Sequence, residues 1–225
     1  MSGLKLITAP ATEPITTAEA KDFLRIDTAT EDTLIDNLIK TARIYCEEYT
    51  GRALINQTYE FYLDGFSEIE IRLWEGIKTG ADLTYRKPYI SLPRPPLSSV
   101  TSINTFDDSD NATVFSASAY YVDSVSQPGK VVLRKGQTFP TSLRVANAVK
   151  ITYVAGYGAS ATDVPEALRT GMREHISYMY EHRGDDALAA GMTVIAKQLY
   201  QPFVVMSFSN NPFANSSTGS QILNV

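Results

Sequence analysis

The first quarter of the chain carries the spacing of apolar residues that is typical of amphipathic helices. Thr16 with Glu19 makes a capping-box pattern, which predicts a first helix over 17–26. Thr30 offers a second N-cap and Gly51 a left-handed C-cap, so a second helix of roughly 30 Å is predicted between them. This helix has an apolar stripe that must pack against other helices. The stripe consists of Leu34, Leu38, Ala42, Tyr45 and Tyr49, widened by Ile35, Ile39 and Cys46.

After Gly51 the pattern changes to the two-residue period of strands. Apolar and polar residues alternate in short stretches separated by turn residues. The predicted strands are 55–63, 69–73, 89–92, 100–106, 119–124, 130–135 and 148–154. Residues 74–87 show little periodicity and are predicted to be a loop. Because the connections are too short for parallel crossovers, these strands predict an antiparallel sheet or small barrel.

Helical patterning returns near residue 163. Asp163 with Glu166 makes a second capping-box pattern, and the helix is predicted to continue to about His182 with Met172 on its apolar face. A further helix is predicted over 187–200, ended by Pro202. The residues that follow 207 are rich in Ser and Asn, so they cannot bury enough apolar surface to fold alone.

These patterns together predict an α+β fold. Residues 1–53 and 163–206 are expected to form one discontinuous helical bundle, residues 54–162 an inserted antiparallel β-domain, and residues 207–225 a flexible C-terminal tail. At 225 residues the chain can bury about 70% of its extended surface, so a core is available without disulfides. If helices from both ends close on each other, Leu38 and Met172 must share one hydrophobic core.

Composition and charge narrow the function. The net charge of −5 argues against a broad basic surface for gripping nucleic acid, although DNA could pass such a surface without sticking. The single cysteine, Cys46, excludes an internal disulfide and is expected to be a buried thiol. We expect neither a signal peptide nor a membrane span, because no apolar run approaches about 18 residues.

Three patterns resemble ligand sites, and each has a simpler structural explanation. The acidic run 107–111 lacks the order of a calcium loop and is expected to be a hairpin tip. Residues 156–161 fit a dinucleotide fingerprint, but no βαβ unit surrounds them and Asp163 would place a carboxylate at the phosphate site. His175 and His182 lie seven residues apart, whereas helical zinc ligands are three or four apart. We therefore expect no cofactor, no metal and no enzyme activity.

Six blocks of sequence resemble, in collinear order, the head-tail connector (adaptor) family of long-tailed, double-stranded DNA bacteriophages. The blocks are ITTAEAKDFLRID, EEYTGRALINQTYEFYLDGF, LPRPPLSSVTSI, YYVDSVSQPGKVVLRKG, VKITYVAGYG and DVPEALRTGMREHISYMYEHRG, which together cover residues 15–184. The resemblance implies a bundle of N- and C-terminal helices with a small β-domain inserted between them. Residues 74–89 look longer than the family's hairpin, and the tail after Ser207 extends past its usual end.

The resemblance also implies a structural role. Similar adaptors are rings of subunits, twelve in the virion, docked beneath the portal protein with genomic double-stranded DNA threading through the centre without sequence recognition. The implied partners are other copies of the chain, the portal protein and the next tail-completion (stopper) protein, with no membrane. The implied location is the head-tail interface of the virion, after assembly in the host cytoplasm.

In similar adaptors the C-terminal segment meets the portal. The residues predicted to contact a partner are therefore Tyr200, Pro202, Phe203, Phe208 and Phe213. For Tyr200 and Phe203 the alternative is that they close the helical core.

Two other functions stay open at this stage. One is an enzyme that uses the loop of Gly156 and Gly158, or the face of His175, for nucleotide or hydrolytic chemistry. The two histidines and one cysteine do not supply a nucleophile, base and orienting group for it. The other is a carbohydrate- or receptor-binding β-module from a tail tip, which leaves the long capped helices without a role.

Overall fold

The computed structural model describes residues 2–66, 89–183 and 191–205. The helices are α1 (Thr17–Leu24), α2 (Asp32–Thr50), α3 (Glu166–Glu181) and α4 (Val194–Tyr200). The strands are β1 (Ser2–Thr8), β2 (Gln57–Leu63), β3 (Tyr89–Ser91), β4 (Leu97–Phe106), β5 (Ala112–Val114), β6 (Tyr120–Asp123), β7 (Lys130–Leu133) and β8 (Val149–Ala155). The chain divides into a sheet unit, 1–9 with 57–155, and a helical unit, 10–56 with 156–225. The predicted α+β class is confirmed.

The sheet unit contains two antiparallel sheets. The larger has the strand order β1-β2-β8-β4-β5 and the smaller the order β3-β7-β6. Strand β8 lies at the centre of the larger sheet, where Val149, Ile151 and Tyr153 alternate with less buried residues and are fully buried. This is the alternation that the sequence predicted, and the predicted antiparallel pairing is confirmed.

Two strands of the larger sheet were not predicted. Strand β1 pairs with β2 from Ser2↔Leu63 to Leu6↔Tyr59, so the start of the chain belongs to the sheet unit, whereas the prediction assigned 1–53 to the helices. Strand β5 pairs with the end of β4 and is exposed along its length. Both are edge strands without a fully buried residue among those described, so neither shows the clear alternation of apolar and polar residues that marks β2 and β8. The predicted strand 69–73 and loop 74–87 lie outside the described residues.

The helical unit has one hydrophobic core built from both ends of the sequence. Helix α3 packs against α2 and α4. Its fully buried Met172 lies in the same cluster as Ile35, Ile39 and Cys46 of α2, and Leu38 packs against that cluster. The buried face of α2 is therefore centred on Ile35, Ile39, Ala42 and Cys46, whereas Leu34 and Tyr45 of the predicted stripe are exposed.

The helix ends confirm some predicted caps and correct others. Thr16 and Glu19 form the predicted capping box of α1, and Gly51 ends α2 with a φ of 70°. Glu31, not Thr30, is the N-cap residue of α2, and its side chain makes no capping hydrogen bond. Among the helices in the described ranges, none is long and apolar enough to span a membrane.

The predicted capping box of Asp163 and Glu166 is wrong. Asp163 instead accepts a hydrogen bond from the backbone N–H of Ser160 and closes a short 3₁₀ turn over Ala161–Asp163. Pro165 restricts Val164 to an extended conformation, so α3 cannot include residue 164 and begins at Glu166. The predicted helix 187–200 is shorter in the described part, because Thr193 caps α4; residues 184–190 lie outside it.

Candidate partner interface

The last described residues, 201–205, form what we call the C-terminal segment. It follows α4, whose first turn is capped by Thr193: the Thr193 hydroxyl oxygen accepts a hydrogen bond of 3.1 Å from the N–H of Ala196. The segment begins with a 3₁₀ turn over Gln201–Phe203, and Pro202 is tolerated near the start of that turn because the N–H it lacks has no helical partner there. The predicted partner contacts begin at this point of the chain.

The C-terminal segment is held at the C-terminal end of α2. The N–H of Val205 donates a 2.9 Å hydrogen bond to the carbonyl oxygen of Thr50. The last four carbonyls of a helix lack intrahelical partners, so this bond satisfies one of them. Gly51 beside it is the left-handed end of α2 and lies in contact range of the Val205 side chain. The last described residue, Val205, therefore lies beside the C-terminal end of α2.

Two side chains add to this attachment. The Tyr49 hydroxyl donates a 2.8 Å hydrogen bond to Oε1 of Gln201, and Nε of Arg52 donates to the carbonyl oxygen of Phe203 at 2.5 Å. These partners are about 150 residues apart in sequence, so local patterns could not pair them. The only sequence signal for this attachment was that Tyr49 and Arg52 lie at the C-terminal end of the predicted second helix. Sequence reasoning missed these contacts.

Tyr200 belongs to the core of the helical unit rather than to the candidate interface. Its side chain is 0% exposed, which favours the alternative that it closes the helical core. A Cβ added at Gly171 would lie 2.5 Å from Cε1 of Tyr200, so glycine is needed for the ring to pack there. Burial raises the pKa of the Tyr200 hydroxyl, and burial likewise raises the pKa of the neighbouring Cys46 thiol. Cys46 is therefore the buried thiol that was predicted.

The other predicted contacts differ in their exposure. Pro202 is exposed, and Phe203 is half-buried against the helical core. Phe208 and Phe213 lie outside the described residues. The described part of the segment therefore offers Pro202 and one side of Phe203 to a partner.

The glycine loop after β8 is explained by close packing within the helical unit. Gly156 has a φ of +148°, and a Cβ there would lie 2.5 Å from the backbone nitrogen of Asn56. The Asn56 N–H donates a 2.9 Å hydrogen bond to the carbonyl oxygen of Gly158. A Cβ at Gly158 would lie 2.0 Å from Oδ2 of Asp163. A carboxylate thus lies against the loop where a dinucleotide phosphate would have to bind.

The histidines and the acidic run have structural partners. His175 is buried edge-on to the Tyr45 ring, with 5.3 Å between ring centroids, and burial lowers its pKa. A ring nitrogen of His182, Nδ1, lies 2.9 Å from the carbonyl oxygen of Tyr178 at the end of α3. The Asp107 carboxylate accepts hydrogen bonds from the backbone of Ser109 and Asn111, as expected of a hairpin tip. Over 2–66, 89–183 and 191–205 no cluster of three His, Cys, Asp or Glu could hold a metal ion.

Comparisons with known proteins agree with this fold. Among solved structures, a chain titled as the neck of an empty GTA particle computed with C6 symmetry matches with a TM-score of 0.71 and 21% identity, over 93% of this chain and 98% of that chain. A chain from the virion of a native gene transfer agent (GTA) particle matches with a TM-score of 0.70 and 21% identity, over 92% and 98%. A third, from the neck of a native GTA particle computed with C12 symmetry, gives 0.68 and 20%, over 93% and 98%.

The search of curated proteins found no match. The family model described as head completion protein matches residues 13–200, which include helices α1 to α4 and strands β2 to β8 of the described residues. The resemblance to phage head-tail connectors is thereby confirmed, and the chain belongs to the head completion protein family.

Proposed function

We propose that this chain is a structural, non-enzymatic head-tail connector of a phage-like particle. It assembles as a ring, of twelve copies in the virion, beneath the portal protein. The ring extends the DNA channel and gives the next tail-completion protein a platform to dock on. Helices from both ends of the chain form the bundle that carries the inserted β-domain. The protein assembles in the host cytoplasm and is then located at the head-tail interface of the virion.

The family match over residues 13–200 is the observation that carries this proposal. Two of the similar structures add to it, because they are particle necks computed with C6 and C12 symmetry. A cyclic assembly needs a heterologous contact whose rotation closes the ring. Weak contacts repeated around such a ring add up to firm attachment without any single strong site.

In this mechanism the C-terminal segment directs the tail toward the portal. Hydrogen bonds from Val205, Tyr49 and Arg52 fix where the chain leaves the helical unit. The residues that follow, with Phe208 and Phe213, then contact the portal protein together with Pro202 and Phe203. No charged residue occurs after residue 205, so a receptor with apolar pockets for the rings of Phe208 and Phe213 would suit the tail.

Co-purification with the portal protein tests the proposal. We expect the full chain to be captured by the portal and a chain truncated after Met206 to be captured less. A double substitution, Phe208→Ser with Phe213→Ser, should reproduce most of that loss. Substituting Ser216 and Ser217 by Ala leaves the tail length and its aromatic residues intact and is the matched control.

Oligomeric state is measured separately by size-exclusion chromatography with light scattering and by negative-stain microscopy. Rings alone or on the portal agree with the proposal. Equal capture of the full and truncated chains would remove the tail from the mechanism but leave the ring. Absence of rings both alone and with portal, together with no capture, would overturn the proposal as a whole.

A further inference from the structure

The outward face of the three-stranded sheet carries cations and tyrosines. Tyr89, Val132 and Tyr121 are directly opposite one another in the register β3-β7-β6, so they share one face. Lys130 lies two residues before Val132 on the same face, and the guanidinium of Arg134 lies over the Tyr121 ring. The opposite face carries Ile90 and Val131, which are buried. We call the outward side chains, with the exposed Lys135 that follows them, the basic face.

Aromatic rings lie next to two of the three cations of the basic face. The Lys130 ammonium lies 5.0 Å from the centroid of the Tyr89 ring, and Cζ of Arg134 lies 6.0 Å from that of Tyr121. Within the described part of the chain, no carboxylate lies within 4.0 Å of the charged nitrogens of Lys130, Arg134 or Lys135. A ring can position a cation without cancelling its charge, whereas an ion pair cancels it. The face therefore keeps its positive charge.

One carboxylate lies near this face. Asp123 is opposite Lys130 in the register. Its oxygens accept hydrogen bonds from the Ser126 hydroxyl at 2.6 Å and from the backbone N–H groups of Val125 and Ser126. Asp123 therefore offsets part of the positive charge of Lys130, and the charges of Arg134 and Lys135 are not offset by it. Elsewhere in the sheet unit, Arg144 and Lys150 have carboxylate partners.

The rest of the protein makes this face unusual. The whole chain has a net charge of −5, and in the described helical unit acidic side chains outnumber basic ones. Uncancelled positive charge on an acidic protein indicates an anionic partner. Lys130 and Arg134 are four residues apart, which is about 13 Å along an extended chain, so each of the two cations can reach a different phosphate of one DNA strand.

We infer that the basic face contacts the phosphate backbone of double-stranded DNA. The inference rests on the proposed function, in which each subunit of the ring faces the DNA, and it names the surface that does so. Contact through two or three cations per subunit is weak and independent of sequence. When these weak contacts are repeated around a ring, they hold the DNA near the inner wall of the channel. The acidic remainder of the protein repels the phosphates and prevents tight binding.

Fluorescence anisotropy with a labelled, mixed-sequence DNA duplex at low ionic strength tests this inference on the full chain. The test variant is Arg134→Glu with Lys135→Glu. The matched control is Lys40→Glu with Lys197→Glu, which changes the net charge equally at exposed cations of the helical unit. We expect the test pair to weaken binding about tenfold or more and to lower the salt slope by about 1.8, since each phosphate contact contributes about 0.9. The control should change the affinity by about twofold or less.

Folding and assembly are measured on the same variants. Arg134 Nε also donates a hydrogen bond to the carbonyl oxygen of Tyr120, so thermal unfolding by circular dichroism must show that the pair is folded. If it is not, Lys135→Glu alone, at an exposed side chain without a described hydrogen bond, should lower the slope by about 0.9.

Three results would overturn the inference. They are no measurable DNA binding by the wild-type chain, equal losses from the test and control pairs, or a test pair that impairs oligomer formation but not DNA affinity. The last result would make the basic face a contact between subunits. Portal capture is scored independently, so a chain that forms rings and binds portal but not DNA would disprove this inference and leave the proposed function intact.

Discussion

The helical unit and the sheet unit use their charged side chains differently. In the helical unit the two least exposed cations are each held by carboxylates. Arg43 lies 2.8 Å from Glu13 and 2.8 Å from Glu47. In the sheet unit the cations of the basic face have no such partners in the described chain. Burying a charge without a partner costs several kcal/mol, so the helical pairs are required by folding.

Arg169 shows the same requirement on α3. Its guanidinium donates to Glu19, to Glu166 at 2.8 Å and to the carbonyl oxygen of Pro14 at 3.0 Å. Glu19 also completes the cap of α1, so one carboxylate joins a helix start to the opposite end of the sequence. The comparison teaches where to look for function. The buried charges are explained by folding, whereas the cations of the basic face are not tied to carboxylates within the fold and stay available to an anionic partner.

The two units should also differ in how they tolerate a new side chain at a glycine, and the largest effect is expected from Gly156→Ala in the helical unit. The new Cβ would lie 2.5 Å from backbone atoms of Ile55 and Asn56, at a φ of +148° that other residues rarely adopt. Backbone strain and overpacking together should destabilise the fold by about 4 kcal/mol. Gly136→Ala is the control, because its φ is +83° but nothing lies within 4 Å, and it should cost only about 1 kcal/mol. If urea unfolding gave similar losses in the free energy of unfolding for Gly156→Ala and Gly136→Ala, close packing at Gly156 would not be the cause of the destabilisation.

Arg43→Leu should have the next largest effect. It leaves the carboxylate of Glu47, 7% exposed, without its 2.8 Å partner, although the N–H of Leu54 still donates to the other oxygen. We expect a loss of about 3 kcal/mol in the free energy of unfolding. In the sheet unit Lys150→Met removes a 3.5 Å contact with Glu60 and should cost less than about 1 kcal/mol. Equal losses of stability from Arg43→Leu and Lys150→Met would show that the two units do not differ in how much their ion pairs stabilise the fold.

The pH dependence of stability should be carried in part by His175 of the helical unit. Burial lowers its pKa from 6.5, so below pH 6.5 the unfolded chain binds a proton that the folded chain does not. The stability due to its neutral form is therefore complete above pH 6.5 and is lost as the pH falls below that value. His175→Gln should flatten the pH dependence of the unfolding free energy measured across this window. If His175→Gln left the slope of unfolding free energy against pH unchanged, the pH dependence would not come from His175.

Prediction from sequence succeeded where the signal was local. The cap at Thr16, the left-handed end at Gly51 and the alternation along β8 all depend on neighbours within a few residues. It failed where a distant residue decided the outcome. For Tyr200 the sequence left two alternatives open, a partner contact or a place in the helical core, and only the distant Gly171, which makes room for the ring, favours the core. The attachment of residues 201–205 to α2 joins partners about 150 positions apart, which one sequence cannot reveal.

The smallest expected effect compares two threonines that look alike in sequence. The Thr16 hydroxyl oxygen accepts a hydrogen bond from the N–H of Glu19 at 3.2 Å, and the Glu19 carboxylate returns one from the Thr16 N–H at 2.9 Å. Thr30, also predicted to be an N-cap, caps no helix, because α2 begins after Glu31. Thr16→Ala should therefore destabilise the fold by about 1 kcal/mol, whereas Thr30→Ala should change it by only a few tenths.

Thermal and urea unfolding of both variants give the comparison. Glu19 also binds Arg169, so Thr16→Ser is needed as a control that keeps the hydroxyl and should recover most of the loss. If Thr16→Ala and Thr30→Ala cost the same, the reciprocal cap adds nothing beyond an ordinary helix start. Glu19 would then stabilise the helical unit through Arg169 alone, and the joining of α1 to α3 would be electrostatic rather than a consequence of the cap.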